Sequence, residues 1–289
     1  MPNHVLSTTE KGSQTIFLNS KDAEFSISDA EKFFYLNQTI IAPPGYRLLI
    51  GLNNLTIPNT MFNINSTNNT FSITTPNSAG TINNYTLDVG NYTGVSLAAA
   101  INAKIGSTGD NLGTIFFNDV TDNDVFSFTF DTTRTLEDGN LASKILGFTN
   151  LPKQSTSILG LQTINATNTC NLSGVTNIYV RIRNLSLNNL DSRGQITNVI
   201  ANVINNTNYG GFIFYQPSEV LYYLINENIV NHLDIELTDQ NGDILELNGS
   251  EFNLTLTIHF THQRQSLIKN SLLDEIREKN KINEEKKSS

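Results

Sequence analysis

Oxygen-bearing side chains alternate along the segment Asp239–Asp243, which reads DQNGD. Carboxylate and amide oxygens at alternate positions open the loops that bind calcium between two helices. Asp239, Asn241 and Asp243 are therefore weak candidate cation ligands. Such a loop also needs a bidentate Glu at its twelfth position, which is Ser250 here, with Glu251 one residue late. The spacing thus favours a tight Asn-Gly turn of a β-hairpin over a metal site.

Two other sets of residues could ligate a metal. His259 and His262 are three residues apart at the end of an alternating strand pattern, which indicates a strand end rather than a metal site. Asp119, Asp122 and Asp124 lie between two predicted strands, where a solvated loop is the simpler interpretation. We therefore expect no metal and no cofactor.

Nucleophiles and nucleotide-binding motifs are equally sparse. Cys170 is the single cysteine, and the pattern indicates a buried small residue rather than a nucleophile. The chain has no Gly-x-Ser-x-Gly elbow, phosphate loop or Gly-x-Gly-x-x-Gly motif. We expect a protein that is not an enzyme and that is made in a reducing cytoplasm, without a signal peptide or a membrane span.

The elements that would position these residues are mostly strands. Apolar residues alternate with polar ones through three successive runs at the end of the body, and Asn-Gly pairs separate the runs. This predicts a closing antiparallel β-meander. Its apolar positions are Leu233, Ile235, Leu237, Ile244, Leu245, Leu247, Phe252, Leu254, Leu256, Ile258 and Phe260. Further predicted strands are Thr15–Leu18, Phe25–Ile27, Lys32–Ile41, Tyr46–Leu52, Asn177–Leu187, Ile196–Ile204 and Gly211–Tyr215.

The middle of the chain has a different pattern. Val95–Ile105 combines Ala with one apolar side, which predicts a helix that Thr93 or Ser96 caps. Strand patterns flank it, so residues 65–165 read as a small strand-strand-helix-strand-strand unit. We predict a mainly β protein, with an antiparallel β-sandwich discontinuous over 14–64 and 166–261. The inserted α+β domain spans 65–165, and residues 1–13 form a flexible N-terminus.

The C-terminal segment, residues 262–289, is charged and periodic. Apolar residues recur at helical spacing, which predicts an amphipathic helix followed by a charged end. These residues are Ile268, Leu272, Leu273 and Ile276. The helix either lies on its own domain or docks on a neighbouring subunit.

Charge excludes one class of partner. The chain carries a net charge of −9, and the tail holds seven Lys or Arg against five Asp or Glu, so the remainder is at −11. An acidic body without a basic stripe lacks the cations that phosphates require. We expect no nucleic-acid partner.

Four segments, in this order, resemble the penton (minor capsid) proteins of virophages and polinton-like viruses. They are YRLLIGLNNLTIPNTMFNINSTNNTFSI at 46–73, YTLDVGNYTGVSLAAAINAKI at 85–105, ILGF at 145–148 and IELTDQNGDILELNGSEFNLTLTIHF at 235–260. The resemblance spans most of residues 15–260. It implies a jelly-roll sandwich with an inserted domain, five copies of which close each vertex of an icosahedral double-stranded DNA virus. The implied partners are further copies of the chain and a major capsid protein, in the virion, and no catalytic residues carry over.

Three alternative functions are also compatible with the sequence. One is another virion part of the same lineage, such as a cement protein or a spike base. Another is a carbohydrate-binding β-sandwich, which would need Tyr209, Tyr222 or Tyr223 exposed in a groove. The last is a hydrolase on a β scaffold, which would need an acidic pair in a pocket.

Overall fold

The computed structural model describes residues 12–75, 81–107, 113–118, 124–187, 189–190 and 195–262. The chain is mainly β, and its strands pair antiparallel. The strands are β1 (Ser13–Asn19), β2 (Phe25–Ser28), β3 (Glu31–Ile41), β4 (Tyr46–Pro58), β5 (Thr70–Thr75), β6 (Thr81–Thr86), β7 (Thr114–Asn118), β8 (Val125–Phe130), β9 (Thr135–Leu136), β10 (Lys153–Gln154), β11 (Thr156–Ile158), β12 (Leu161–Asn165), β13 (Asn177–Ile182), β14 (Asn189–Leu190), β15 (Ile196–Thr197), β16 (Val199–Ile204), β17 (Phe212–Tyr215), β18 (Tyr223–Ile225), β19 (Ile229–Thr238) and β20 (Asn253–His262). The helices are α1 (Gly94–Ser107) and α2 (Asn140–Lys144), and Ser20–Asp22 forms a 3-10 turn.

Two five-stranded sheets form the body. The first, called the front sheet, has the order β1-β20-β4-β17, with β18 also paired to β4. The second, called the back sheet, has the order β16-β13-β19-β3-β2. Alternate residues of each strand point inward, so Leu254 and Leu256 of the front sheet and Leu233 and Ile235 of the back sheet are buried in one hydrophobic cluster. The two sheets therefore pack face to face as a sandwich.

The closing segment does not form the predicted meander. β19 pairs with β3 and β13 in the back sheet, whereas β20 pairs with β1 and β4 in the front sheet. Residues 244–247 are not a strand either, since their only pairing is an isolated bridge between Thr238 and Ile244. Leu245, Leu247 and Phe252 are buried in the shared core, so the chain crosses the end of the sandwich with apolar side chains turned inward. Alternation marks which side chains are buried but does not say which sheet a strand joins.

A second hydrophobic cluster lies between β4 and β13 in the chain. Its buried members run from Ile64 to Ala166, and none of them belongs to the body's cluster. Two four-stranded sheets, β10-β9-β5-β6 and β11-β12-β8-β7, surround it with the two helices. The predicted helix and its flanking strands are present, but the predicted four-strand unit omitted the short strands β9–β12. These strands have two to five residues each, too few for a period to be visible.

Side-chain hydrogen bonds hold α1 in place at its N-terminus and near its C-terminus. The Thr93 hydroxyl accepts a bond from the Ser96 backbone N–H at 3.2 Å, and the Ser96 hydroxyl accepts one from the Thr93 N–H at 2.9 Å. This reciprocal pair caps the helix, as the sequence predicts. One turn from the C-terminal end, the Asn102 amide bonds both the N–H and the C=O of Ile115. A helix side chain thus covers the edge of β7. Neither described helix is long and apolar enough to cross a membrane.

The segment between β17 and β18 lies across the outside of the front sheet at Gly51. A Cβ at this position would lie 2.6 Å from Val220 Cγ1 and 2.9 Å from the Leu221 carbonyl oxygen. Glycine is required here because backbone passes directly over backbone. We call residues 216–222 the strap.

We expect Gly51→Ala to lower the free energy of unfolding by about 1–3 kcal/mol, because the added methyl group must displace the strap. Gly106→Ala is the matched control, since no described heavy atom lies within 4 Å of the added Cβ and a helix favours Ala. Urea-induced unfolding of both variants checks this. Equal stability of Gly51→Ala and the wild type would show that the strap does not press on β4.

Candidate interaction surfaces

The candidate cation ligands form a self-contained turn. One Asp239 carboxylate oxygen accepts the backbone N–H groups of Asn241 at 2.7 Å and Asp243 at 2.9 Å. Its other oxygen accepts the Asn241 side-chain amide at 3.0 Å. The Gly242 N–H donates to the Asp239 carbonyl at 3.2 Å, and Gly242 adopts φ +88° whereas Asn241 does not have a positive φ. The chain therefore turns at Gln240-Asn241 and continues through a left-handed glycine, rather than through the two-residue turn in which both Asn and Gly have positive φ. The carboxylate therefore closes the turn by accepting three N–H groups, which leaves it fewer lone pairs for a cation.

The three histidines of the described ranges do not converge. His4 lies outside the described residues, and the other three each contact a different aromatic ring: His232 with Phe33 at 4.9 Å, His259 with Tyr222 at 4.5 Å and His262 with Tyr46 at 4.1 Å between ring centroids. His259 and His262 both lie in β20, where a spacing of three turns them to opposite faces. Within the described ranges, no group of three or more His, Cys, Asp or Glu side chains is placed to hold a metal.

Cys170 is half-buried against the second hydrophobic cluster. Burial, and secondarily the nearby Asp124 carboxylate, raise the pKa of the Cys170 thiol. A raised thiol pKa disfavours the reactive thiolate. Asp124 has φ +42° and its carbonyl accepts the Cys170 N–H at 2.9 Å, so it serves as a turn residue. Asp119 and Asp122 lie outside the described residues.

The three tyrosines proposed for a carbohydrate groove lie apart. Tyr209 stacks on Phe62 at 5.7 Å, beyond the C-terminal end of β4. Tyr222 belongs to the strap and packs on His259, close to Gly51. Tyr223 is turned toward the core, where burial and the neighbouring Tyr215 raise its pKa. About seven residues of β4 separate the first site from the second, so one groove does not hold all three.

The outer face of the back sheet carries a network of charges. Arg183 contacts Glu31 at 2.8 Å, Glu236 at 3.4 Å and Asp234 at 3.5 Å. Arg181 lies 3.8 Å from Glu236. Beyond this network, Phe33, Tyr35 and His232 cluster, with Phe33 and Tyr35 in edge contact at 4.8 Å. This face is therefore charged along its centre and aromatic toward one end.

The outer face of the front sheet has the opposite character. Phe17 of β1 is 79% exposed, and Phe212 and Phe214 of β17 are 66% and 63% exposed. Across the five described strands of this sheet, Arg47 is the only Lys, Arg, Asp or Glu. Between the phenylalanines lie uncharged positions such as Thr56 and Asn253. Away from the strap, which crosses this face at Gly51 and contains the exposed Glu219, the strands of this sheet present exposed aromatic rings among uncharged residues.

A third exposed apolar feature is the hairpin tip between β11 and β12. Ile158 pairs with Leu161, and Leu159 between them is fully exposed. Leu159 and Gly160 have φ of +51° and +87°, as in a type I′ turn, where Asn or Asp ordinarily takes the first position. The second hydrophobic cluster thus carries a projecting tip of aliphatic side chains.

Amide side chains hold the two crossings between the body and the second cluster. Buried Asn63 donates to the carbonyl oxygens of Tyr92 at 2.8 Å and Leu172 at 3.2 Å, and it accepts the Tyr92 N–H at 2.9 Å. Asn59, also buried, donates to the Thr207 carbonyl oxygen at 2.8 Å. We call residues 59–63 and 172–176 the neck. Its buried polar groups depend on these amides for hydrogen bonds.

We expect Asn63→Ala to lower the free energy of unfolding by about 1–3 kcal/mol, because backbone groups of Tyr92 and Leu172 lose their partners in a buried site. Exposed Asn202 in β16 is the matched control, and Asn202→Ala should change stability by less than about 0.5 kcal/mol. Urea titration of both variants measures the difference. The same small effect for both would contradict a structural role of Asn63.

We expect calcium in the millimolar range to leave the midpoint of thermal unfolding unchanged, because the Asp239 carboxylate already accepts three N–H groups. Asp239→Ala should destabilise the protein by about 1–2 kcal/mol, while Asp131→Ala, at another exposed turn, should not. Differential scanning calorimetry with and without calcium tests both points. A rise in the midpoint that Asp239→Ala abolishes would reveal a cation site.

Comparison with known proteins gives one kind of match. No protein-family model matches the chain, and no curated protein does. Among solved structures, the crystal structure of selenomethionine-labelled mavirus penton protein is similar, with a TM-score of 0.47 and 13% sequence identity. The similarity covers 86% of this chain and 100% of that chain.

Proposed function

We propose that the chain is a structural virion protein, a penton capsomer that closes the five-fold vertices of a small icosahedral double-stranded DNA virus as a homopentamer. The strand order of the body carries this proposal, together with the four sequence segments that resemble penton proteins. According to this proposal, the protein is not an enzyme and acts in the virion after synthesis in a host cytoplasm.

The strand order supports a jelly roll. Counting β1, β3, β4, β13, β16, the pair β17/β18, β19 and β20 as eight principal strands, the front sheet holds the first, eighth, third and sixth. The back sheet holds the second, seventh, fourth and fifth. Two Greek keys folded into two sheets produce this interleaving. We therefore assign the body to the jelly-roll architecture.

The two hydrophobic clusters support a division into a discontinuous body and an inserted domain. Met61 and Ile178 belong to the body's cluster, whereas Ile64 and Ala166 are buried in the second cluster and Leu172 packs against it. We place the inserted domain at about 64–172, slightly wider than the 65–165 predicted from the sequence. It occupies the connection between the third and fourth principal strands, so it can vary without disturbing the sandwich.

The mechanical consequence suits a capsid vertex. A sandwich with one continuous core is rigid, and a ring of copies closes when two different patches on each copy meet head to tail. The inserted domain, with its aliphatic hairpin tip, is the part available for other contacts. A major capsid protein is the expected second partner. The periodic tail with Ile268, Leu272, Leu273 and Ile276 lies outside the described residues, and its docking on a neighbouring subunit remains part of the proposal.

A carbohydrate-binding module is the second candidate, on one observation. Tyr35 is exposed beside His232 and Phe33 on the outer face of the back sheet, and Asp234 is close by on β19. Exposed rings beside hydrogen-bonding groups are the elements from which sugar sites are built. This cluster, rather than the three separated tyrosines, is therefore the candidate sugar-binding site.

Mass measurement separates the two candidates. Native mass spectrometry and light scattering across a concentration series should give a discrete species near five times 32.0 kDa. A trimer would contradict the vertex assignment and favour a spike or another capsomer. A strict monomer at every concentration would contradict self-assembly, and sugar binding that Tyr35→Ala abolishes would then establish the second candidate.

A further inference from the structure

We propose that the front sheet is the contact between copies of the chain, with Phe17 of one copy packed against Phe212 and Phe214 of the next. The inference rests on the proposed function, because a closed ring needs two different patches on each copy. We call Phe17 and its surroundings the β1 patch, and Phe212 with Phe214 the β17 patch.

All three phenylalanines point away from the body's core. Phe17 pairs with Thr255 between the inward positions Leu254 and Leu256. Phe214 pairs with Thr56, and its neighbour Ile213 is buried. Side chains of paired residues lie on the same side of a sheet, so the rings of both patches stand on its outer face. Their exposure is a property of the strand register rather than of a loose terminus.

Charge favours a second copy as the occupant. Each copy carries a net charge of −9, so two copies repel wherever their acidic surfaces meet. The back sheet has Glu31, Asp234 and Glu236 on its outer face, paired with only two arginines. The strands of the front sheet carry no acidic residue, so like-charged copies can approach there at a lower cost, with Glu219 of the strap lying between β17 and β18 in the sequence. The core of a stable interface is likewise depleted of charge.

The patches also lie at the two edges of one sheet. No described strand pairs with the free edge of β1 or of β17. Proteins usually protect such edges with lysine, proline or a bulge, and neither strand contains a charged residue or a proline. Unlike patches on opposite edges of a subunit permit heterologous contacts, which form a ring when the rotation between successive copies closes and an open filament when it does not. An isologous two-fold contact can also pair unlike patches, but it joins the same two copies twice and stops at a dimer.

The phenylalanines supply part of the area that a stable interface needs. Phe17 of one copy with Phe212 and Phe214 of the next present on the order of 400 Å², about a quarter of the roughly 1,600 Å² that both partners together bury in a standard interface. Strand residues between the patches and the residues around them can supply the remainder. Aromatic side chains at the centre of a contact are also the residues that carry most of its binding energy.

The first test compares single variants of the full chain. Phe17→Ser and Phe214→Ser should each weaken self-association roughly ten- to hundredfold, because a buried phenylalanine is lost. Phe25→Ser is the matched control: Phe25 is 61% exposed, on the edge strand of the back sheet. Sedimentation velocity gives the masses, and thermal unfolding verifies that the three variants fold alike. Persistence of the oligomer in both front-sheet variants, or equal loss in Phe25→Ser, would overturn the inference and leave the proposed function standing.

The second test reads the direction of the contact in a Cys170→Ser background. Phe17→Cys mixed with Phe214→Cys should form disulfide-linked dimers on oxidation, while each alone should not. Cross-linking within either variant alone, or no cross-linking in the mixture, would overturn the pairing of unlike patches. Oxidation of the Phe17→Cys/Phe214→Cys double variant separates a ring from a two-fold pair: linked species larger than the dimer support the head-to-tail contact, and linkage that stops at the dimer would overturn it. A wild type that is monomeric at all concentrations is the separate result that removes the proposed self-assembly itself.

Discussion

The front sheet of the body depends on the pairing of its last described strand, β20, with two other strands. β20 lies between β1 and β4, pairing with the first strand from Asn253 to His259 and with β4 along its whole length. β1 therefore lacks its pairing partner until β20, more than two hundred residues later in the sequence, joins the sheet. Such non-local pairing must overcome loop closure before it gains stability. The second hydrophobic cluster lies within that loop and shares no buried residue with the cluster to which β20 contributes.

Sequence periodicity predicted most of the longer strands and helix α1, but not the neighbours of each strand. Alternation in β19 and β20 identified which side chains are buried, and both strands exist. It could not show that the chain crosses from the back sheet to the front sheet in the segment that contains Leu245, Leu247 and Phe252. A buried crossing and a buried strand both contain apolar residues, so the sequence pattern does not distinguish them. The change of pattern near residues 65 and 165 led to the prediction of an inserted unit, and the described residues form two separate hydrophobic clusters. The strands β9–β12 are too short to show a repeating pattern of apolar and polar residues.

The candidate surfaces were only partly visible in the sequence. Asp239 and its neighbours drew attention as oxygen ligands, and the hydrogen bonds form a turn there, although one residue earlier than the Asn-Gly pair predicted. The front-sheet phenylalanines were missed, although a signal exists. Ile16-Phe17-Leu18 and Phe212-Ile213-Phe214 are apolar runs in strands where one face should be polar. An unbroken apolar run is typical of a strand covered on both faces. Here one of those faces is exposed in the single chain.

The central claim is that identical copies close a ring through uncharged, unlike patches. Electron microscopy of the purified full chain tests it most directly, because rotational symmetry is read from the images without reference to any variant. The account predicts end-on class averages with five-fold symmetry, unchanged in high salt because uncharged contacts are not screened. Two-fold particles, or rings that fall apart as salt is raised, would contradict it.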